Sequence, residues 1–347
     1  MSLETTVYAA TSGEPHIGVV KVPDNRIDRL SEIFNPKKTT YASVEYIDYL
    51  GITKGDIQQN RKVFDVMKDA DALVHVVRAF ENEAVPHPAE KVDPMRDVEI
   101  MELELVFGDL DLVEKRLERM DEAARKGKKQ DEGEKKLLFK CREALEREIP
   151  LRDVEFNDEE QKAMRHLQFI STKPEIIVLN ISEDDLNSER MNELETRVRQ
   201  YFLGKQQESS PVAQHSLLSL CGKIEMEISR LPANDAKLFL DDLRIAEPAL
   251  HKLITVSYNL LGLISFITVG EDEVRAWTIA KGTSAHRAAG RVHTDIERGF
   301  IRAEVFSYDD FIQWGSTPVL REKGLLRLEG KTYEVKDGDI INFRFNV

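Results

Sequence analysis

The chain has little cysteine, no long apolar run, a deficit of positive charge and no phosphate-binding glycine string. Its two cysteines, Cys141 and Cys221, lie far apart in a sequence of 347 residues. They offer neither a metal-ligand spacing nor a disulfide framework, and a reducing cytoplasmic setting is expected. No run of about 18 apolar residues occurs, so no membrane-spanning helix is expected. The opening MSLETTVYAATSGEP lacks the apolar core of a signal peptide. Lys and Arg number 49 against 63 Asp and Glu, a net charge of −14. That sign argues against uniform wrapping of nucleic acid, and no DNA or membrane partner is expected. A G-x-x-x-x-G-K-[ST] string cradles phosphate on backbone N–H groups, with a lysine to neutralise it. None is present. Gly330-Lys331-Thr332 comes nearest, but Leu325 stands where the first glycine belongs.

What is present is organised in three parts. Ile17 to Val22 reads as a strand, Arg26 to Phe34 as a helix and Ala42 to Asp48 as a strand. Gln58 to Asp69 reads as a helix and Ala72 to Val77 as a buried strand. This βα alternation predicts a parallel sheet covered by helices. After Pro94 the pattern becomes helical, with Leu103, Val106, Leu110, Val113, Leu117 and Met120 at three- and four-residue steps. A polar break at Lys126 to Gly133 leads into a second amphipathic helix, Glu134 to about Glu148. Two such helices predict an antiparallel hairpin. A third helix, Asp158 to Phe169, returns the chain. Strands at Ile176 to Leu179 and Val212 to Leu218 then resume the α/β pattern, with a helix at Met191 to Phe202 and others reaching about Leu261. From Gly262 short strands dominate: Leu263 to Val269, Arg275 to Ala280, Phe300 to Val305 and Ile340 to Val347. One helical segment, Ala285 to Arg291, interrupts them.

Several strings carry a resemblance: VPD at Val22 to Asp24, AFEN at Ala79 to Asn82, KVDP at Lys91 to Pro94 and FLDDL at Phe239 to Leu243. RAWT at Arg275 to Thr278 and HTDIERGFIRAEV at His293 to Val305 are the most specific. Together they resemble the YchF, or Obg-like, ATPase family of the P-loop GTPase superfamily, translation-factor class. The resemblance implies an α/β fold with a G-domain-like parallel sheet, an inserted antiparallel helical hairpin and a C-terminal β-grasp (TGS) domain. The expected domains are 1–93 with 173–261 for nucleotide binding, 94–172 for the hairpin and 262–347 for TGS.

The resemblance also implies site residues. Asn180, Ile181, Ser182 and Glu183 stand where G-proteins carry N-K-x-D, whose Asp accepts two hydrogen bonds from guanine. The family has the altered form N-x-x-E and prefers ATP over GTP. Read without the family, the same residues start a helix, with Ser182 as its cap. Ser219, Leu220 and Cys221, in a polar turn running to Lys223, match the later base-side loop. Asp48 ends a strand before Tyr49-Leu50-Gly51, and in this chemistry such an Asp holds Mg²⁺. A strand-end Asp before a glycine turn also serves as plain punctuation. Glu4-Thr5-Thr6-Val7-Tyr8 resembles the tail of a phosphate loop, with Glu4 at the lysine position. Thr5 is then the Mg²⁺ ligand and Thr6 a second nucleotide contact. Where many GTPases place a water-orienting Gln the family has an apolar residue. Leu50 or Ile52 lies there, and no catalytic residue is assigned.

Two functions follow. The first is binding and slow hydrolysis of ATP (or GTP) with Mg²⁺ by a ribosome-associated regulator of translation or stress response. The second is an RNA-, ribosome- or protein-binding module with a degenerate phosphate site. For either, Arg275, Lys281, Arg287, Arg291 and Arg298 form a basic island, opposed only by Asp295 and Glu297, that offers contacts to ribosomal RNA phosphates. Trp277, His286 and His293 are candidate stacking groups. A strand tryptophan is also a core residue by default.

Overall fold

The computed structural model of the protein describes residues 15–49, 51–52, 57–186, 188–205 and 215–346. The chain starts with β1 (His16–Lys21), α1 (Asn25–Phe34), β2 (Lys38–Thr40) and β3 (Ser43–Asp48). It continues through α2 (Ile57–Met67), β4 (Leu73–Arg78), α3 (Pro94–Arg125), α4 (Glu132–Glu146), a 3-10 turn at Leu151–Asp153 and α5 (Asp158–Leu167). Next come β5 (Glu175–Asn180), α6 (Glu189–Lys205), β6 (His215–Leu220), α7 (Gly222–Arg230), α8 (Ala233–Asp242) and α9 (Ala249–Leu260). The remainder holds β7 (Leu263–Thr268), β8 (Glu273–Ala280), α10 (Ala285–Val292), α11 (Thr294–Arg298), β9 (Phe300–Ser307), α12 (Tyr308–Trp314), α13 (Thr317–Glu322), β10 (Arg327–Glu329) and β11 (Asp339–Phe345). Two compact units result, one containing Ile47–Ala249, the other Ile17–Tyr46 with Leu250–Val347. None of the described helices is long and apolar enough to cross a membrane.

In the first unit, β4, β5 and β6 pair in parallel, in that order. Central β5 is covered on both faces, and Ile176, Ile177, Val178 and Leu179 are almost wholly buried. Each such side chain contributes roughly 1.5–3 kcal/mol relative to exposure. The hairpin forms as its periodicity predicts. Asp93 caps α3, accepting from Arg96 N at 3.2 Å, with Pro94 in the first turn. Asp131 caps α4 through the N–H groups of Gly133 and Glu134. Between the helices Val106, Val113 and Leu117 pack with Leu137, Leu138, Cys141 and Leu145. Asn157 and Glu160 close a capping box on α5.

A buried ionic knot ties the hairpin's base to the N-terminal ends of these strands. Arg152, in the 3-10 turn, donates to Glu102 of α3, to Glu175 of β5 at 2.9 Å and to His215 of β6 at 3.3 Å. Asp153 Oδ1 lies 3.8 Å from His215 Nε2, and His75 Nδ1 of β4 lies 3.8 Å from Glu175 Oε1. Two carboxylates thus share one guanidinium. Burial opposes charge on both, but the Arg152 charge holds Glu102 below the usual carboxylate range. Burial and the adjacent Glu102 push Glu175 well above it. Burial lowers His75 to about 4 and keeps it neutral at physiological pH.

The second unit is a mixed six-stranded sheet, β10-β9-β11-β7-β8-β2. Phe266, Phe300, Ala303, Val305, Ile341 and Phe343 pack with the alanines of α10. Ile27 and Leu30 of α1 instead share a cluster with Ile254 and Tyr258 of α9, Ile267, Val274 and Phe306. Residues 17–46 were expected in the nucleotide-binding sheet. Here β2 pairs in parallel with β8, and β1 and β3 form a separate two-stranded sheet. An apolar strand and an amphipathic helix show in sequence that they are covered, but not by which sheet. Helices α11, α12 and α13 were also unforeseen, because each has seven residues or fewer and no complete period to read.

Candidate functional site

The C-terminal ends of three parallel strands lie level, with Arg78, Asn180 and Leu220 in register. In open α/β sheets this edge is where ligands bind. Three loop starts converge there. The Arg78 guanidinium donates to the carbonyls of Phe80, Asn82 and Val85 at 2.8–3.0 Å and holds the loop after β4. Asn180 accepts from Ala79 N at its carbonyl, 2.8 Å, and from Gly222 N at Oδ1, 3.0 Å. A Cβ on Gly222 would lie 3.2 Å from Asn180 Oδ1, so the glycine permits this approach. A second tie joins the same two loops: Lys223 Nζ lies 2.8 Å from Glu183 Oε1. The hydrogen bond and charge of Glu183 raise the pKa of the Lys223 ammonium.

The expected site residues separate by direction. Asn180 and Glu183 lie at this edge and make the two ties between its loops. Ile181 donates its N–H to Leu220 O at 2.8 Å, and its side chain is buried with Val77, Leu179 and Ile224. Cys221 joins the same apolar cluster. Ile181 and Cys221 can therefore present backbone, not side chain, to a ligand. Ser182 Oγ meets Asp185 at 2.8 Å within a turn, and α6 begins later, at Glu189, so Ser182 caps no helix. Ser219 and Leu220 finish β6 instead of opening a turn. Ser219 Oγ donates to Glu195 of α6 at 2.6 Å. Asp48 is exposed at the end of β3, and a carboxylate suits a hard cation such as Mg²⁺. Thr5, Thr6 and Leu50 lie outside the described residues. Ile52 packs against Leu73, Leu105 and Ile170. Among the described residues no group of three His, Cys, Asp or Glu side chains has metal-holding geometry. The base-side turn read from sequence ran to Lys223 but gave Gly222 and Lys223 no role of their own. The available signal was their place directly after Cys221, in the first turn of a helix that follows a strand.

The basic island is only partly free. The Arg275 guanidinium lies 3.9 Å from the centre of the Trp277 ring, whose other neighbour is Phe266 at 6.3 Å. The Trp277 Nε1 donates to Thr268 at 2.9 Å. Trp277 is therefore occupied on its faces and is no stacking platform. His293 Nδ1 accepts from Asp295 N at 3.2 Å as the cap of α11. The His286 ring meets Phe300 edge-on at 5.8 Å. Lys281, Arg287, Arg291 and Arg298 are exposed, with Arg287 and Arg291 one turn apart on α10.

Known proteins match this architecture. The family model YchF-GTPase C-terminal, described as a protein of unknown function (DUF933), matches residues 263–346. The Bacillus subtilis protein named ribosome-binding ATPase YchF is 42% identical, over 99% of this chain and 93% of its own. The Haemophilus ducreyi and Escherichia coli proteins of that name are 39% and 36% identical, at the same coverage. The solved structure of the Schizosaccharomyces pombe YchF GTPase superposes with a TM-score of 0.82 at 29% identity, covering 97% of this chain and 89% of that one. A hairpin inserted before the second strand of a parallel sheet, followed by a C-terminal mixed sheet, is thus shared along nearly the whole chain, which belongs to the YchF family.

Proposed function

We propose that this chain binds ATP with Mg²⁺ and hydrolyses it slowly while associated with the ribosome. The observation that carries the reading is the pair of ties between the loops after β5 and β6, Asn180 to Gly222 and Glu183 to Lys223, at the C-terminal edge of parallel strands. Relatives that share the fold are named ribosome-binding ATPases, which supports both halves. In this reading Asn180 fixes the base-side loop, and Glu183 accepts a hydrogen bond from the base. Backbone groups of Ile181 and Cys221 line the pocket, and Ser219 braces it through Glu195. Asp48 would take Mg²⁺ through water, with Thr5 as a direct ligand and Thr6 beside it. Mg²⁺ supplies charge neutralisation of the phosphates, and positioning does most of the remaining work. A cytoplasmic regulator of translation or stress response fits this chemistry. The test is calorimetric titration with a non-hydrolysable ATP analogue and Mg²⁺, followed by phosphate release with and without ribosomes. Micromolar binding and ribosome-stimulated release are expected. Absence of binding would sink the ATPase reading.

One observation favours a second reading. The chain has no G-x-x-x-x-G-K-[ST] string, while Lys281, Arg287, Arg291 and Arg298 remain exposed. A ribosome-binding module without hydrolysis uses this face for RNA phosphates. Ribosome co-sedimentation should then weaken steeply with salt, and R287A with R291A should flatten the slope. Binding indifferent to salt would exclude a phosphate-driven contact.

A further inference from the structure

The names of the matched proteins divide over the base, since the bacterial relatives are named ATPases and the Schizosaccharomyces pombe structure a GTPase. The Glu183–Lys223 pair bears directly on that choice. Guanine presents two adjacent donors on its pairing edge, the ring N1–H and the exocyclic N2 amine. A carboxylate recognises both when each of its oxygens is available. A ring-edge donor left without an acceptor in a binding pocket is a strong source of discrimination. Adenine presents one exocyclic amine beside a ring-nitrogen acceptor. It needs only one carboxylate oxygen, and an ammonium nearby can donate to the ring nitrogen.

In this structure one oxygen of Glu183 is already engaged: Oε1 meets Lys223 Nζ at 2.8 Å. The pair is well placed to meet a ligand, because the side chains of Lys223 and Glu183 are 63% and 44% exposed. Glu227, one turn along α7, also acts on the Lys223 charge, but less than Glu183 does. Asp185 is held by the Ser182 hydroxyl at 2.8 Å and by Arg190 at 3.3 Å. Glu195 is engaged by Ser219. The hydrogen bond from Gly222 N to the side-chain Oδ1 of Asn180 sets the spacing of the two loops independently of the ion pair.

We propose that Lys223 is a specificity-determining residue: by holding Glu183 Oε1 it denies guanine a two-oxygen acceptor and offers adenine a donor–acceptor pair. The inference rests on the reading of these loops as a nucleotide-base site. Lys223→Met keeps the aliphatic stem and removes the ammonium. Lys223→Arg keeps the pairing. Parent and both variants are titrated calorimetrically with the imido analogues of ATP and GTP in the presence of Mg²⁺, with thermal melts as a folding control. K223M should raise the ratio of GTP-analogue to ATP-analogue affinity by about tenfold, the scale of one charge-assisted hydrogen bond. K223R should keep the parent ratio. If the parent binds and K223M leaves the ratio unmoved, or K223R shifts it as far as K223M does, the proposal is wrong while the base site stands. If the parent binds neither analogue, the base-site reading falls and takes the proposal with it.

Discussion

The two ends of the same three parallel strands carry similar charges in opposite surroundings. At the N-terminal end Arg152 sits between Glu102 and Glu175, with side chains 0%, 2% and 1% exposed. At the C-terminal end Lys223 and Glu183 remain 63% and 44% exposed. In the dry knot each unmatched charge is costly, and burial pushes Glu175 above the usual carboxylate range while Arg152 holds Glu102 below it. At the wet end water supports either partner alone, so loss of one partner costs the fold little. One end anchors the hairpin to the sheet, and the other is open to solvent.

The sharpest way to break this contrast is Arg152→Met. It strands the Glu102 charge in the interior and should cost about 3–5 kcal/mol in chemical denaturation. A loss under about 1 kcal/mol would show that the knot is not the anchor described. Asn180→Ala comes next. It leaves the Gly222 N–H without its 3.0 Å acceptor and should cost about 1–3 kcal/mol, together with nucleotide affinity if the base site is real.

Glu175→Gln sharpens the contrast from inside the knot. Glu175 is raised well above the usual range by burial and by Glu102. Its stabilising contribution is therefore complete below the unfolded carboxylate value of about 4.3 and is lost as pH rises through the folded value. The glutamine resembles the protonated acid. It should match the parent to within about 1 kcal/mol near pH 4 and lose less stability than the parent as pH rises. A destabilisation as large as that of R152M would mean Glu175 is charged in the fold. The smallest effect is expected at the wet end, where Lys223→Met should leave the melting temperature unchanged. A clear drop would show the surface pair to be structural.

The same contrast explains what could be read from the chain. β5 was legible because a short apolar run admits few alternatives, and α3 and α4 because Val106, Val113 and Leu117 repeat at helical spacing. Asn180 and Glu183 could be singled out because they lie three positions apart in one short string. Ile181 and Cys221 were included with them, yet their side chains turn into the core, since alternate residues leaving a strand end point in opposite directions. The knot was invisible. Glu102, Arg152, Glu175 and His215 span more than 100 positions, and each alone reads as an ordinary surface residue.

By itself the sequence determined the longer elements, the hairpin and the family, because local periodicity, capping residues and contiguous strings are properties of neighbours in the chain. Tertiary structure alone decided that residues 17–46 pack with the C-terminal sheet, that Glu175 is pushed above the usual carboxylate range beside Glu102, and that Lys223 reaches Glu183. Each of these depends on groups far apart in sequence meeting at a few ångströms, where burial sets the strength of their charges.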